Sequence, residues 1–169
     1  MTDGRYLDDV GEAILLRDVV ADDLPIFFEH QRDPEAVAMS KAPSRDHDAF
    51  MEHWRRVLGN PSTRTKTVVV DGGVVGNVSS WDADGERVVG YWVARTHWGR
   101  GIATAALASF VRDYETTRPV FAYVAVQNVG SVRVLEKCGF RRVEGPITAS
   151  DGVVELRMAL ASYAVNVAV

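Results

Sequence analysis

Apolar residues along this chain change their spacing several times, and each change marks an element. Ala13-Ile14-Leu15-Leu16-Arg17-Asp18-Val19-Val20 is a β-rich run that predicts a first strand. Ala21-Asp22-Asp23 ahead of Leu24-Pro25 opens a helix of roughly one to three turns, with acidic residues where a helix N-terminus favours them. Phe50, Trp54, Val57 and Leu58 recur at helical spacing within 46–58, and Gly59-Asn60-Pro61 ends that second helix. Three β-rich runs follow, Thr65 to Val70, Val74 to Trp81 and Arg87 to Ala94, joined by Asp71-Gly72-Gly73 and Asp82-Ala83-Asp84-Gly85, the pattern of an antiparallel meander. The period then returns to 3.6: Ile102, Ala106, Phe110 and Tyr114 share one face of a helix over 101–114, with Ala103, Leu107 and Val111 beside them. Val120 to Val126 is a further strand, Val132 to Cys138 a short helix closed by Gly139, and Phe140 to Val143 and Val153 to Leu160 close the chain as strands. The order β-α-α-β-β-β-α-β-α-β-β predicts one α+β domain over 12–169. Residues 1–11, with two Gly and three Asp and little periodicity, are expected to be a flexible leader.

Composition narrows the function classes. The 169 residues are 47% hydrophobic and 25% charged, which is ordinary globular usage and argues against disordered, collagen-like or coiled-coil chains. Nineteen basic against 23 acidic residues leave a net charge of −4, the opposite of a nucleic-acid binder's basic footprint. One cysteine, Cys138, makes neither an intrachain disulfide nor a zinc cluster, so no metal site is expected and a reducing, cytoplasmic setting suits the chain. No run approaches a membrane span's length, and the first residues lack the apolar stretch of a secretion signal.

The chemistry concentrates where the third meander strand meets the next helix, in Tyr91-Trp92-Val93-Ala94-Arg95-Thr96-His97-Trp98-Gly99-Arg100-Gly101-Ile102-Ala103-Thr104. Glycines and small residues at a strand-to-helix junction let an anion approach the backbone, where amide hydrogens of the helix's first turn and the helix dipole favour negative charge. Glycines in such a place also simply make the turn. A P-loop is excluded because no Gly-Lys-Ser/Thr occurs, and a dinucleotide fold is disfavoured by the antiparallel strands upstream and by Gln127-Asn128 where its acid belongs.

The same segment resembles the cofactor motif of the GNAT superfamily of N-acetyltransferases, Gln/Arg-x-x-Gly-x-Gly/Ala. Trp98-Gly99-Arg100-Gly101-Ile102-Ala103 follows it except that Trp98 stands in the Gln/Arg position, a departure similar to the branch of ribosomal-protein alanine N-acetyltransferases. A second block, from Ala125 through Asn128-Val129-Gly130-Ser131 to Glu136-Lys137-Cys138-Gly139-Phe140, resembles that branch's strand, Asn-x-x-Ser and Glu-Lys-x-Gly-Phe ending. The resemblance spans roughly residues 13–160. It implies a mixed, mostly antiparallel sheet flanked by helices and splayed at the cofactor site, with the pantetheine of acetyl-CoA lying in the split like an added strand. Backbone groups of Val93, Ala94 and Arg95 are then expected to hold the pantetheine, and the stretch Trp98, Gly99, Arg100, Gly101, Ile102, Ala103 and Thr104 the diphosphate.

Acetyl transfer from a thioester to an amine needs a neutral amine, a polarised carbonyl and a proton for the departing thiolate. By the resemblance, Ser131 is the candidate proton donor, although serine at a helix start is also an N-cap. Asn128 matches the asparagine that contacts the pantetheine arm, and Arg133 and Lys137, one turn apart, are either contacts for the cofactor's 3′-phosphate or a solvated face. The base is less legible: Val88 occupies the branch's usual acid position, which leaves Glu86 on the same strand face as the candidate, with Asp82, Asp84, His97 or a water relay as alternatives. Cys138 reads as a packing residue; Trp81, Tyr91, Trp92 and Trp98 read as core or as cleft wall.

The function that follows is direct transfer of an acetyl group from acetyl-CoA to a primary amine, on a protein N-terminus or a small molecule. A cationic acceptor is suggested by the clustering of Asp82, Asp84 and Glu86, and the loops at 30–46, 82–86 and 145–152 set its identity. The alternative is a non-catalytic module that binds acetyl-CoA as a regulatory signal. A monomer, or a homodimer through the sheet edge or the Ala/Val-rich tail from Ala159 to Val169, fits the sequence equally.

Overall fold

Paired β-rich runs build most of the molecule. In the computed structural model, which describes residues 4–7, 13–42 and 44–161, the strands join a single nine-stranded sheet. β1 (Gly4–Leu7) pairs antiparallel with β2 (Ala13–Asp18), β2 with β3 (Arg64–Val70), β3 with β4 (Gly73–Ala83) and β4 with β5 (Glu86–Val93). β1 falls within the segment expected to be a leader, where an edge strand now stands; the remainder of 1–11 lies outside the described residues. Beyond β5 come β6 (Val120–Ala125), β7 (Arg141–Arg142), β8 (Ile147–Thr148) and β9 (Val154–Leu160), with β9 pairing antiparallel to β6, β7 and β8. β7 and β8 are two residues each, too short to show a period.

The one parallel pairing decides the shape of the site. β5 and β6 run the same way, joined by the crossover helix α4 (Ile102–Asp113), and share a single bridging pair, Val88 with Phe121. Past that pair the two strands part toward their C-terminal ends. The α+β class follows the order of elements read from the sequence, and the mixed, mostly antiparallel sheet splayed in its middle is the architecture that the resemblance implied.

Helices cover both faces. Ile102, Ala106, Leu107, Phe110 and Val111 of α4, with Val132 and Leu135 of α5 (Val129–Lys137), pack on Ile14, Leu16, Val68, Val78, Val89 and Met158 to form the main core. On the opposite face α1 (Asp23–Gln31) and α3 (His47–Gly59) bring Leu24, Phe27, Phe50 and Trp54 together, with the Phe27 and Trp54 ring centroids 5.0 Å apart. α2 (Pro34–Ser40), between them, was not expected from periodicity. Its signal is Asp33-Pro34: the Asp33 side chain accepts from the Glu35 and Ala36 amides, and Pro34 sits in the first turn, where its missing N–H leaves no bond unmade.

Two features fix β4 against its neighbours. Opposite Val68 and Val69 it carries one additional residue, Val75, a bulge that raises the local twist. Gly76 follows, and any Cβ there overlaps the Trp92 carbonyl oxygen across the β4–β5 pair, so only glycine allows this approach. Below the split, the fully buried Glu115 accepts from Arg64, from Arg87 Nε at 2.7 Å and from Ser80 Oγ at 2.6 Å. Burial alone pushes this carboxyl up; the donors from Ser80, Arg87 and Thr117 more than offset that and hold it down to about 2. Among the described residues no helix is long and apolar enough to cross a membrane.

Candidate active site

The gap opened by the parting of β5 and β6 is a cavity of about 680 Å³, bounded by Tyr91, Trp92 and Val93 of β5, the N-terminal turn of α4, the N-terminal half of α5 and one side of α2. Its floor is set by the alternation of β5. Val89 and Val93 point into the main core, and Tyr91 between them shares that side and packs against the same cluster.

At one end lies the glycine segment. A 3-10 turn, Arg95–His97, leads from β5, and the Trp98 indole Nε1 donates to the Val93 carbonyl at 2.9 Å, which pins the segment to the strand it left. Gly99 (φ 75°) and Gly101 (φ 76°) then adopt left-handed backbone, which glycine takes without steric penalty. Gly101 is the N-cap of α4, and no side chain caps that helix. Amides of its first turn therefore face a cavity lined by Gly99, Gly101, Ile102, Ala103 and Thr104, small residues that leave room for a diphosphate against the backbone. Arg133 and Lys137 of α5 line the same cavity and add positive charge.

At the other end Asn128 and Ser131 begin α5. The Asn128 Oδ1 accepts from the Ser131 amide at 3.1 Å, so the cap of this helix is Asn128, and the helix starts three residues before the expected Val132. Ser131 is freed from capping, and its Oγ lies 2.6 Å from the Tyr91 phenol oxygen. Burial pushes the Tyr91 phenol above its ordinary value, despite that hydrogen bond. The sequence reading gave Tyr91 no role beyond wall or core; the alternation of β5 was the signal that placed it under the site.

Of the residues expected to hold the cofactor, Val93, Trp98, Gly99, Gly101, Ile102, Ala103, Thr104, Asn128 and Ser131 line the cavity, whereas Ala94, Arg95 and Arg100 stand outside its lining. The Ala94 amide donates to the Val75 carbonyl at 2.8 Å, prolonging the β4–β5 pairing, so it has no hydrogen left for a pantetheine. Arg95 instead reaches back to α2, with its Nε 2.7 Å from Asp33 Oδ2. Ala36, Met39 and Ser40 of α2 thereby become a wall of the cavity that the sequence did not reveal.

Glu86, the candidate base, stands away from the cavity. It lies outside the cavity lining; Tyr123 Oη donates to its Oε2 at 2.6 Å and the Arg157 guanidinium pairs with Oε1. The Tyr123 phenol, and then Arg157, hold its carboxyl below the usual range. Asp82 pairs with Arg87 at 3.2 Å, and Asp84 occupies the left-handed turn after β4 (φ 50°), so the acidic cluster is absent from the cavity wall. Val88, where the resemblance places an acid, is buried at the β5–β6 bridge. His97 does line the cavity, its Nδ1 3.0 Å from Thr96 Oγ1. Tyr91, Trp92 and Trp98 are the aromatic part of the wall, while Trp81 packs over Gly90. The Cys138 thiol, packed beside the core, donates to the Thr104 carbonyl, and burial pushes it up to about 11. Among the described residues no group of three or more His, Cys, Asp or Glu is placed to hold a metal ion.

Comparison with known proteins agrees with this geometry. The model of the acetyltransferase (GNAT) domain matches residues 13–141. No curated protein matches the sequence. Solved structures with the same fold include aminoglycoside acetyltransferase AAC(6')-Ib in complex with coenzyme A, at 21% identity and TM-score 0.73, covering 88% of this chain and 94% of that one. Spermidine N-acetyltransferase from Vibrio cholerae with CoA and spermine superposes at 17% identity and TM-score 0.74, covering 88% and 95%. A GNAT-family acetyltransferase from Bacillus anthracis does so at 19% identity and TM-score 0.71, covering 88% and 94%.

Proposed function

Because the chain belongs to the GNAT acetyltransferase family, we propose that it moves the acetyl group of acetyl-CoA directly to a primary amine, in the cytoplasm and with no metal. The observation that carries this reading is the split itself: one bridging pair between parallel β5 and β6, then a cavity with the uncapped α4 N-terminus at one end and Ser131 at the other.

Acetyl-CoA supplies an activated acyl group on a thiolate that leaves readily. The chain's part is to hold and orient it. The first-turn amides of α4, from Gly101 to Thr104, take the diphosphate, with Arg133 and Lys137 toward the remaining phosphate. The exposed edges of β5 and β6 receive the pantetheine as an added strand, and Val93 is its β5 contact now that the Ala94 amide is taken. Tyr91 and Trp92, in the β5 wall, exclude water from the reacting end. Ser131 gives its hydroxyl proton to the sulfur as the C–S bond breaks. With Glu86 held by Tyr123 and Arg157, the acceptor's own proton leaves through water or through His97, whose imidazole lines the cavity.

The acceptor is a protein N-terminus, as the resemblance to the ribosomal-protein alanine branch suggests, or a small amine. The neighbours are an aminoglycoside and a spermidine acetyltransferase, so both substrate classes belong in the test. Thiol release from acetyl-CoA, measured against peptides with free N-termini, spermidine and kanamycin, is expected to depend on one of these amines. Tight acetyl-CoA binding with no amine-dependent release from a broad panel would instead support the regulatory module.

A further inference from the structure

Tyr91 and Ser131 are 40 positions apart, on β5 and α5, yet their side-chain oxygens lie 2.6 Å from each other across the floor of the cavity. The same phenol oxygen is 3.2 Å from the Ser131 carbonyl. A phenol has one proton to give, and the shorter contact is in the range of a strong O–H···O bond. If the phenol donates to Oγ, the serine's own proton is free to turn into the cavity. If the serine donates to the phenol, that proton is turned away from it. Both groups line the cavity, and the Tyr91 ring is packed against the main core, which holds the phenol beside Ser131.

We propose that Tyr91 is a positioning residue for acetyl transfer: its O–H donates to Ser131 Oγ, aims the serine's proton at the sulfur, and stabilises Oγ as that proton departs. The inference rests on the reading of Ser131 as proton donor. One proton passes from Oγ to sulfur while the electron pair of the broken C–S bond stays on sulfur. The proton lost by the acceptor nitrogen restores Oγ through water, so no further reactant is needed. Burial keeps the phenol protonated through the working range, as a permanent donor must be.

A readout that needs no acceptor tests this. Donors at the sulfur favour the thiolate of bound CoA, so CoA should gain affinity over desulfo-CoA as pH rises, by calorimetry between pH 6.5 and 9.5. The other titratable groups near the pair, His97 from the 3-10 turn, Arg133 and Lys137 from α5 and Cys138 behind Tyr91, are the same in every variant, so their effect on the thiolate cancels when wild type and variants are compared. A thiol pKa lowered by one unit gives a gain of about tenfold in the wild type, and the expectation for Tyr91→Phe is about threefold. In Ser131→Ala the gain is as small or smaller, and adding Tyr91→Phe to it changes nothing more. Melting temperatures confirm that the variants fold. Tyr91→Met, which fills the same space without a donor, replaces the phenylalanine variant if that one is unstable.

A wild-type gain in Tyr91→Phe together with a loss in Ser131→Ala would reduce Tyr91 to packing. An effect of Tyr91→Phe that persists undiminished in the Ser131→Ala background would equally overturn the proposal, because it would not act through Ser131. A Ser131→Ala protein that keeps the full gain removes the reading of Ser131 itself.

Discussion

A serine hydroxyl is a weak acid, and at Ser131 it has only to protonate a thiolate, which departs with little help. Ser131→Ala is therefore expected to lower kcat by about tenfold, below the usual range for an acid catalyst, and to leave the KM for acetyl-CoA within about twofold. Steady-state kinetics with the best acceptor separates the two; a rise in KM alone would make Ser131 a binding residue. Glu86 is the converse case. A general base contributes about a hundredfold or more, whereas this carboxylate is held by Tyr123 and Arg157 outside the cavity, so Glu86→Gln should keep kcat within about threefold from pH 6 to 9. A collapse of kcat across that range in the variant would mean that the cluster opens during turnover and that Glu86 acts after all. The Ser131 role was legible from the resemblance, but the Glu86 cluster was not, because a period of two assigns a residue to a strand face and says nothing of a cation arriving from β9, 71 positions away.

At the scale of elements, the glycine-rich entry to α4 is the part with least tolerance. A residue with a Cβ at Gly101 is strained at φ 76° by about 1–2 kcal/mol, and a branched one also intrudes where the diphosphate would lie. Gly101→Val should cut acetyl-CoA affinity by about a hundredfold or more while the melting temperature falls only a few degrees; affinity that survives would place the phosphates elsewhere. The long strands and the helices α3 and α4 were readable from periodicity, because each is long enough to repeat an apolar face. α2, of seven residues, is not, and its existence rests on the Asp33 cap and Pro34. The early start of α5 has a similar cause. Two cap-competent residues, Asn128 and Ser131, stand one turn apart, and only the fold shows which side chain meets which amide.

For the molecule as a whole, the antiparallel meander of β3, β4 and β5 was expected from its turn-separated runs, and the split from the resemblance. What lay beyond reach was the long-range polar network that holds the sheet near the split, since Arg64, Ser80, Arg87 and Glu115 come from four separate elements or loops. It carries a prediction about acid. The Glu115 carboxyl is held down to about 2 in the folded protein against an ordinary 4.5, so its contribution is complete above the ordinary value and is lost as pH falls from about 4.5 toward 2. Melting temperature followed from pH 6 to 2.5 should drop more steeply for the wild type than for Glu115→Gln. Parallel curves would show that the network contributes nothing to acid stability.

The account stands or falls on acetyl-CoA occupying the split. Calorimetry of the folded wild type with acetyl-CoA, paired with thiol release in the presence of peptide, spermidine or kanamycin, tests it most directly. The predicted result is one acetyl-CoA per chain, lost in Gly101→Val, with release that depends on the amine. A folded protein that binds no acetyl-CoA, or binds it equally well with valine at position 101, would contradict it.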